Sequence, residues 1–278
     1  GARTVVALSK KRGLRVTVRF TTGWSSERML DFAEGMMLRD YEFLEHQEVD
    51  DEHIAEPWSV DFQASARHQG VLADSLGHIH SVVGGVHLAR DLGNEPANVL
   101  YPMEYARRVV EWAEGKDDVV VEVYDWDKLR ELGMGGLVNV GKGSDRKPCM
   151  VLFTLNPDAD EGVQRPCIVG KGITFDSGGI SLKPGAGMGK MKGDMGGGAS
   201  VIGAMQAISR LKPNLNVHAV CAATDNMPGA AAQRPGDVVT AMNGTTIEVD
   251  NTDAEGRLTL ADAIGYALSK GAVRIVDV

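Results

Sequence analysis

Leu14, Val16, Val18 and Phe20 place apolar side chains at every second position, which predicts a strand over 14–20. Beyond Ser25 or Ser26, either of which suits a helix N-cap, Met29, Phe32, Ala33, Met36 and Met37 fall on the helical period instead. The run from Glu42 to Glu56 reads as a solvated loop or edge, and Ser59 to Phe62 as a short strand. From Val71 to Leu92 the apolar residues Leu72, Leu76, Ile79, Val83, Val86 and Ala89 trace a long helix that Gly93 and Pro96 terminate. A helix of that length suits a connector between domains. Pro102 opens another helix, which runs to about Glu114 and stops before Gly115.

The second half changes character. Val119 to Tyr124, Cys149 to Leu155, Cys167 to Gly170, Val217 to Thr224, Thr245 to Val249 and Val273 to Val278 predict strands, most of them nearly continuous apolar runs. Trp126 to Leu132, Gly198 to Leu211 and Arg257 to Leu268 predict helices between them. Strands buried on both faces and interleaved with helices indicate an α/β layer fold, with a mixed, largely parallel sheet flanked by helices.

The 278 residues allow one large domain or two ordinary ones. Lys and Arg number 29 against 38 Asp and Glu, a net charge of −9, yet residues 31–61 alone carry eleven acids and one Arg, so the remainder is close to +1. That balance offers no basic face for nucleic acid. No run reaches the ~20 apolar residues of a bilayer span, and the N-terminus lacks the charged-then-apolar layout of a signal peptide. A soluble, cytoplasmic protein without a membrane partner is expected. Cys149, Cys167 and Cys221 each sit in an apolar run and are expected as reduced core thiols. Glycine is the outlier: 34 residues without a periodic repeat point to places where backbone must come close to something.

In open α/β sheets ligands bind beyond the carboxyl ends of the strands, so the residues that follow each strand carry the chemistry. Lys171 and Asp176 follow the strand ending at Gly170, with Lys183 further on; Asp194 precedes a helix; Asp250, Asp253, Glu255 and Arg257 follow the strand ending at Val249. Carboxylates gathered this way raise one another's pKa unless positive charge lies among them. Lys and Arg partners alone would serve, and so would bound metal. Asp176, Asp194, Asp253 and Glu255, with the Lys171 amine, make a mainly oxygen donor set suited to Mg²⁺ or Mn²⁺, and the nitrogen also admits Zn²⁺. As a ligand Lys171 must be neutral, which burial beside a dication would favour. Spacing alone leaves the ion-pair rim and the metal site both open.

Other chemistries find less support. Six of the seven histidines lie between His46 and His87, none in a His-Glu-x-x-His pattern, and His218 sits inside an apolar strand as a core or edge residue. His78, His80 and His87 read as residues on the face of the long helix, meeting solvent or a neighbouring domain. Ser177 lacks the Gly-x-Ser-x-Gly elbow, and Gly170-Lys171-Gly172 lacks the Ser or Thr that follows the lysine of a phosphate loop. Gly196 to Gly198 before a helix leaves anion or nucleotide binding open, beside close helix packing as the plainer explanation. Asp225 and Asn226 read as turn chemistry, with support behind the site as their most functional role.

The octet Asn251-Thr252-Asp253-Ala254-Glu255-Gly256-Arg257-Leu258 resembles, residue for residue, the signature of the leucyl aminopeptidase family, the cytosol aminopeptidases with two metals. Gly170 to Lys183, Lys192 to Gly197 and Asn94 to Asn98 are similar to further stretches of that family, so the resemblance covers about Ala89 to Val278. It implies a metal-dependent aminopeptidase hydrolysing the N-terminal bond of peptides with a free N-terminus, leucine-type in preference, through a two-metal-activated water. The same resemblance implies that Lys171, Asp176, Asp194 and Glu255 hold a tight metal, and Asp176, Asp253 and Glu255 an exchangeable one, as Zn²⁺ or Mn²⁺ with Mg²⁺ also open. Lys183 would polarise the scissile carbonyl, and Arg257 would hold bicarbonate as general base. A homo-hexamer is implied as well. Residues 1–75 would be part of a smaller α/β N-terminal domain, 76–94 a linker helix, and 95–278 a catalytic domain incomplete at its C-terminus. The alternative is a non-catalytic binding or assembly module, or an inactive fragment of that fold.

Overall fold

The computed structural model describes residues 2, 4–7, 15–21, 23–48, 59–156, 158 and 165–278. Leu14 and residues 49–56 of the acidic run lie outside the described residues. Two compact units divide the chain, residues 1–87 and 88–278.

In the first unit β1 (Arg15–Arg19) pairs in parallel with β2 (Ser59–Gln63), Arg15 opposite Ser59. Between them in sequence, α1 (Ser26–Arg39) starts at its predicted cap: the Ser25 side chain accepts the Arg28 N–H, and Met29, Ala33 and Met36 are buried. A two-stranded sheet has too little surface to stand alone, and aromatic rings supply the missing contact. Phe20 stacks on Phe62 at 5.5 Å, and Trp24 and Phe32 meet Phe20 at an angle. The long helix α2 (Ala66–Asn94) begins ahead of Val71, because its first turn is polar and carries no apolar signal; the division between units falls within it.

The second unit holds helices α3 (Pro102–Ala113), α4 (Trp126–Glu131), α5 (Gly135–Gly141), α6 (Gly196–Leu211) and α7 (Glu255–Ser269). Its strands are β3 (Val119–Tyr124), β4 (Cys149–Leu155), β5 (Pro166–Asp176), β6 (Val217–Asn226), the hairpin pair β7 (Val238–Thr240) and β8 (Thr246–Glu248), and β9 (Arg274–Asp277). The main sheet runs in the order β3-β4-β6-β5-β9, and only β4 opposes the other four, so the sheet is mixed and largely parallel. Side chains alternate across it. Val151, Phe153, Ala219 and Cys221 join the core that includes α3 and α6 residues, whereas Met150, Leu152, Val220 and Ala222 join the one that includes α4, α5 and α7 residues. Burial on both faces is why these strands read as unbroken apolar runs, each large side chain contributing roughly 1.5–3 kcal/mol.

All three cysteines are free and buried. Burial pushes the Cys167 thiol up to about 11 and Cys221 to about 12, with Cys149 raised further, so none serves as a nucleophile. His218 is half-buried with Nδ1 on Thr154 Oγ1 at 3.2 Å, a core-edge histidine as expected. Among the described residues no helix is long and apolar enough to cross a membrane.

At the start of α3, Glu104 accepts hydrogen bonds from Arg107 and Arg108, and Arg108 also reaches Glu95 at 2.8 Å. Chiefly the Arg107 hydrogen bond, helped by Arg108 and opposed by burial, holds the Glu104 carboxyl down to about 2 from 4.5. A depressed folded-state pKa gives stability that is present above the unfolded value and lost as pH falls toward the folded one. Thermal unfolding between pH 4.5 and 2 is therefore expected to show a shallower loss of Tm with acid in Glu104→Gln than in the parent; parallel curves would remove Glu104 from the acid response.

Candidate metal centre

The site begins with an irregularity in β5. Lys171 lies opposite Ala222 and Asp176 opposite Asn226, and the register slips between Ile173 and Phe175. In a regular strand Asp176, five residues on, would point to the face opposite Lys171. The extra residue at Thr174 cancels that parity, so both side chains emerge on the α7 side of the sheet. Thr174 Oγ1 donates to the buried Asp225 carboxylate at 2.5 Å, which holds the bulge in place.

Each lysine joins two carboxylates. Lys171 Nζ lies 2.9 Å from Asp194 Oδ1 and 3.0 Å from Glu255 Oε1; Lys183 Nζ lies 2.7 Å from Asp176 Oδ2 and also contacts Asp253 Oδ1. Ligand oxygens of Asp176, Asp253 and Glu255 fall within 4.8 Å of one another. Asp176 and Glu255 are buried, whereas Asp253, Asp194 and both lysines keep some exposure. Asp194 stands two residues before α6, its Oδ2 buried and without a hydrogen-bond partner among the described residues. Burial pushes its carboxyl up to about 6, Glu255 and Asp176 add to that, and the Lys171 ammonium opposes it. Burial works to lower Lys171 and Lys183, but the hydrogen bonds they donate to their carboxylate partners, with the attraction of those charges, outweigh it and raise both.

Behind the cluster two loops are tied together. Thr252 Oγ1 accepts the Ser181 N–H at 2.7 Å and donates to the Gly178 carbonyl at 2.6 Å, while the Lys183 N–H bonds the Ser177 carbonyl at 2.9 Å. Asn251 caps the short turn Thr252–Ala254 by accepting the Asp253 N–H at 2.8 Å. Arg257 is exposed on the first turn of α7; with Asp253, Asn251, Ile247 and Leu258 it lines a cavity of about 540 Å³, and it makes no ion pair among the described residues.

The structure thus gathers Asp176, Asp194, Asp253, Glu255, Lys171 and Lys183, and sets Arg257 beside them across Asp253. Sequence reasoning passed over Thr252 and Ser181 and took Asp225 and Asn226 for turn chemistry. The turn is corrected, though not the supporting role read beside it: both are buried residues at the end of β6, where hydrogen bonds to the neighbouring strand replace a turn. The four strand-pattern positions directly before Asp225, Cys221 through Thr224, were the available signal. Gly196 and Gly198 belong to α6, and a Cβ on Gly198 would lie 2.6 Å from Cys221 Sγ, which is the close packing anticipated there.

The donor set fits divalent cations. Four carboxylates against two ammonium groups leave two negative charges uncompensated in a partly buried cluster. Asp194 Oδ2 is an acceptor with no donor beside it among the described residues. Oxygen ligands with one amine suit Mg²⁺, Mn²⁺ or Zn²⁺.

Fold and site together define an α/β protein whose acidic, lysine-lined centre lies past the carboxyl ends of parallel strands. A family model for the catalytic domain of the cytosol aminopeptidase family matches residues 87–278. The chain is 52% identical over 191 residues to a "Probable cytosol aminopeptidase" of Solibacter usitatus, covering 69% of this chain and 40% of that protein. It is 44% identical over 247 residues to a protein of the same description from Agrobacterium fabrum, covering 87% and 48%. Among solved structures, the bottromycin maturation enzyme BotP in complex with Mn superposes with a TM-score of 0.81 at 36% identity, over 99% of this chain and 58% of that one. A cytosol aminopeptidase from Coxiella burnetii gives 0.75 at 29% identity, over 88% and 50%. The chain spans 40% to 48% of the length of these two curated relatives. It belongs to the cytosol aminopeptidase family.

Proposed function

We propose that this chain carries the metal centre of an aminopeptidase acting on peptides with a free N-terminus. The observation that supports it is the convergence of Asp176, Asp253 and Glu255 oxygens within 4.8 Å, in a cluster short of positive charge. Lys171, Asp176, Asp194 and Glu255 would hold one divalent cation and Asp176, Asp253 and Glu255 a second, as Zn²⁺, Mn²⁺ or Mg²⁺. Each lysine pairs with one carboxylate shared by both sets and one that belongs to a single set, Lys171 with Glu255 and Asp194, Lys183 with Asp176 and Asp253. Bound there, the cations would ionise a water and polarise the scissile carbonyl.

The chain's own residues supply the rest. Lys183, on a loop pinned by the Ser177 carbonyl, would turn its ammonium toward the carbonyl oxygen and meet negative charge as it develops. Arg257, exposed and beside Asp253, would hold bicarbonate within reach of the attacking water's proton. Within this reading residues 1–75 belong to a smaller N-terminal domain, 76–94 to a linker helix and 95–278 to the catalytic domain, and the protein is a cytoplasmic homo-hexamer with leucine-type preference.

The test is hydrolysis of a leucyl-amide by this chain with added Mn²⁺ or Zn²⁺. Activity is expected to vanish with chelator and to fall at least ~100-fold in Asp253→Asn. A chain that takes up Mn²⁺ yet hydrolyses nothing would support the binding-module alternative. One that does neither would sink the proposal.

A further inference from the structure

Asn226 is 1% exposed and sits between the two halves of the carboxylate cluster. Its backbone carbonyl accepts both the Ser177 N–H, at 3.0 Å, and the Ser177 hydroxyl, at 2.8 Å, so its position at the end of β6 is fixed from the neighbouring strand. From there Nδ2 donates to Asp176 Oδ1 at 2.8 Å and to the Thr252 carbonyl at 3.0 Å. Glu255 Oε2, at 3.5 Å, stands at the outer limit of a hydrogen bond and is a weak third approach. The amide orientation follows from these neighbours: turned the other way, its oxygen would face a carboxylate and a carbonyl, acceptors both.

Resting on the metal reading above, we propose that Asn226 is a positioning residue for the metal centre. Asp176 Oδ1 is filled by two donors, the Asn226 amide and the Gly178 N–H at 2.8 Å, so the carboxylate cannot rotate and its Oδ2 is the oxygen presented toward Lys183 and the cation site. The bond to Thr252 carries the same restraint across to the turn that delivers Asp253 and Glu255. Asn226 therefore ties β5 to the start of α7 through one side chain. Asparagine suits the task because it brings two N–H groups without charge; Asp would set a like charge against Asp176, and Ser offers one donor on a shorter arm. Groups that orient metal ligands in this way typically hold a 10–100-fold share of metal affinity.

Calorimetric titration of Mn²⁺ into the chain, into Asn226→Ala and Asn226→Ser, and into Asp262→Asn tests the proposal. Asp262 is a buried carboxylate of α7 that accepts the Leu137 and Met242 N–H groups and touches none of the cluster carboxylates. Both Asn226 variants are expected to bind Mn²⁺ at least about tenfold more weakly, and Asp262→Asn to stay within about threefold of the parent even where its Tm drops. Should Asn226→Ala fail to fold, Asn226→Ser, which keeps a hydroxyl donor, carries the comparison. Parent binding with unchanged affinity in the Asn226 variants overturns the role of Asn226 and leaves the metal reading standing. Equal weakening in Asp262→Asn also overturns it, since general loosening then accounts for the loss. A parent that binds no Mn²⁺ overturns the metal reading, and this proposal with it.

Discussion

Glu255→Gln is expected to lower kcat/KM for a leucyl-amide by about a thousandfold, roughly 4 kcal/mol, while the chain still folds. Glu255 is 1% exposed and opens α7, where the helix dipole favours a negative charge. Glutamine keeps the shape and loses the charge. It also has no satisfactory orientation: one oxygen of Glu255 accepts from Lys171 Nζ at 3.0 Å and the other faces Asn226 Nδ2 at 3.5 Å, so an amide turned either way aims an NH₂ at a donor. Because Glu255 belongs to both proposed cation sets, its loss should weaken Mn²⁺ binding as well as turnover. Steady-state kinetics over a range of Mn²⁺ checks this. A variant within tenfold of the parent at saturating Mn²⁺ would remove Glu255 from the chemistry.

Much of the architecture was legible because burial on two faces leaves unambiguous apolar runs. The β4 prediction, Cys149 to Leu155, coincides with the strand, and β3 likewise. What escaped depends on partners distant in sequence. Helix α5 is the glycine-rich Gly135–Gly141, a composition with poor helix propensity. Its start is held by the buried Asp262 of α7, which accepts the Leu137 N–H at 2.9 Å with one oxygen and the Met242 N–H at 2.8 Å with the other. No local signal announces such a cap. The hairpin strand β7 is three residues long and has almost no pattern to read.

The candidate site divides similarly. Residue types and their place after strands were visible, but not the pairing, since Lys171 and Asp176 five apart belong on opposite faces unless the strand is bulged. The bulge is stabilised by Thr174 and Asp225, residues whose meeting only the parallel pairing of β5 with β6 creates. Sequence could therefore name the carboxylates while leaving unassigned what aims them.

Gly198→Val is the substitution expected to cost the fold most, about 3 kcal/mol in urea unfolding. A Cβ at 198 would lie 2.6 Å from Cys221 Sγ and 3.4 Å from the Lys171 carbonyl, and Gly170, on the strand beneath, leaves only 2.8 Å between its own would-be Cβ and the Gly198 Cα. Cys221 is fully buried and has nowhere to retreat. Tyr105 O–H donates to the Gly198 carbonyl at 2.8 Å, a further tie on the helix at this position. Alanine should gain up to about 1 kcal/mol in helix propensity, yet the contact with sulfur outweighs that, so Gly198→Ala is also expected to destabilise. Asp194 lies two residues before α6, separated from it only by the N-cap Met195, so lifting the helix from the sheet is expected also to stretch the 2.9 Å Asp194–Lys171 contact and weaken Mn²⁺ binding. A double-mutant cycle isolates the cause: Cys221→Ala removes the sulfur, so Gly198→Ala with Cys221→Ala should be more stable than the two single losses add up to, by about 1 kcal/mol or more. Simple additivity would mean that the sulfur does not set the helix-to-sheet distance, and the glycine at 198 would then need another explanation.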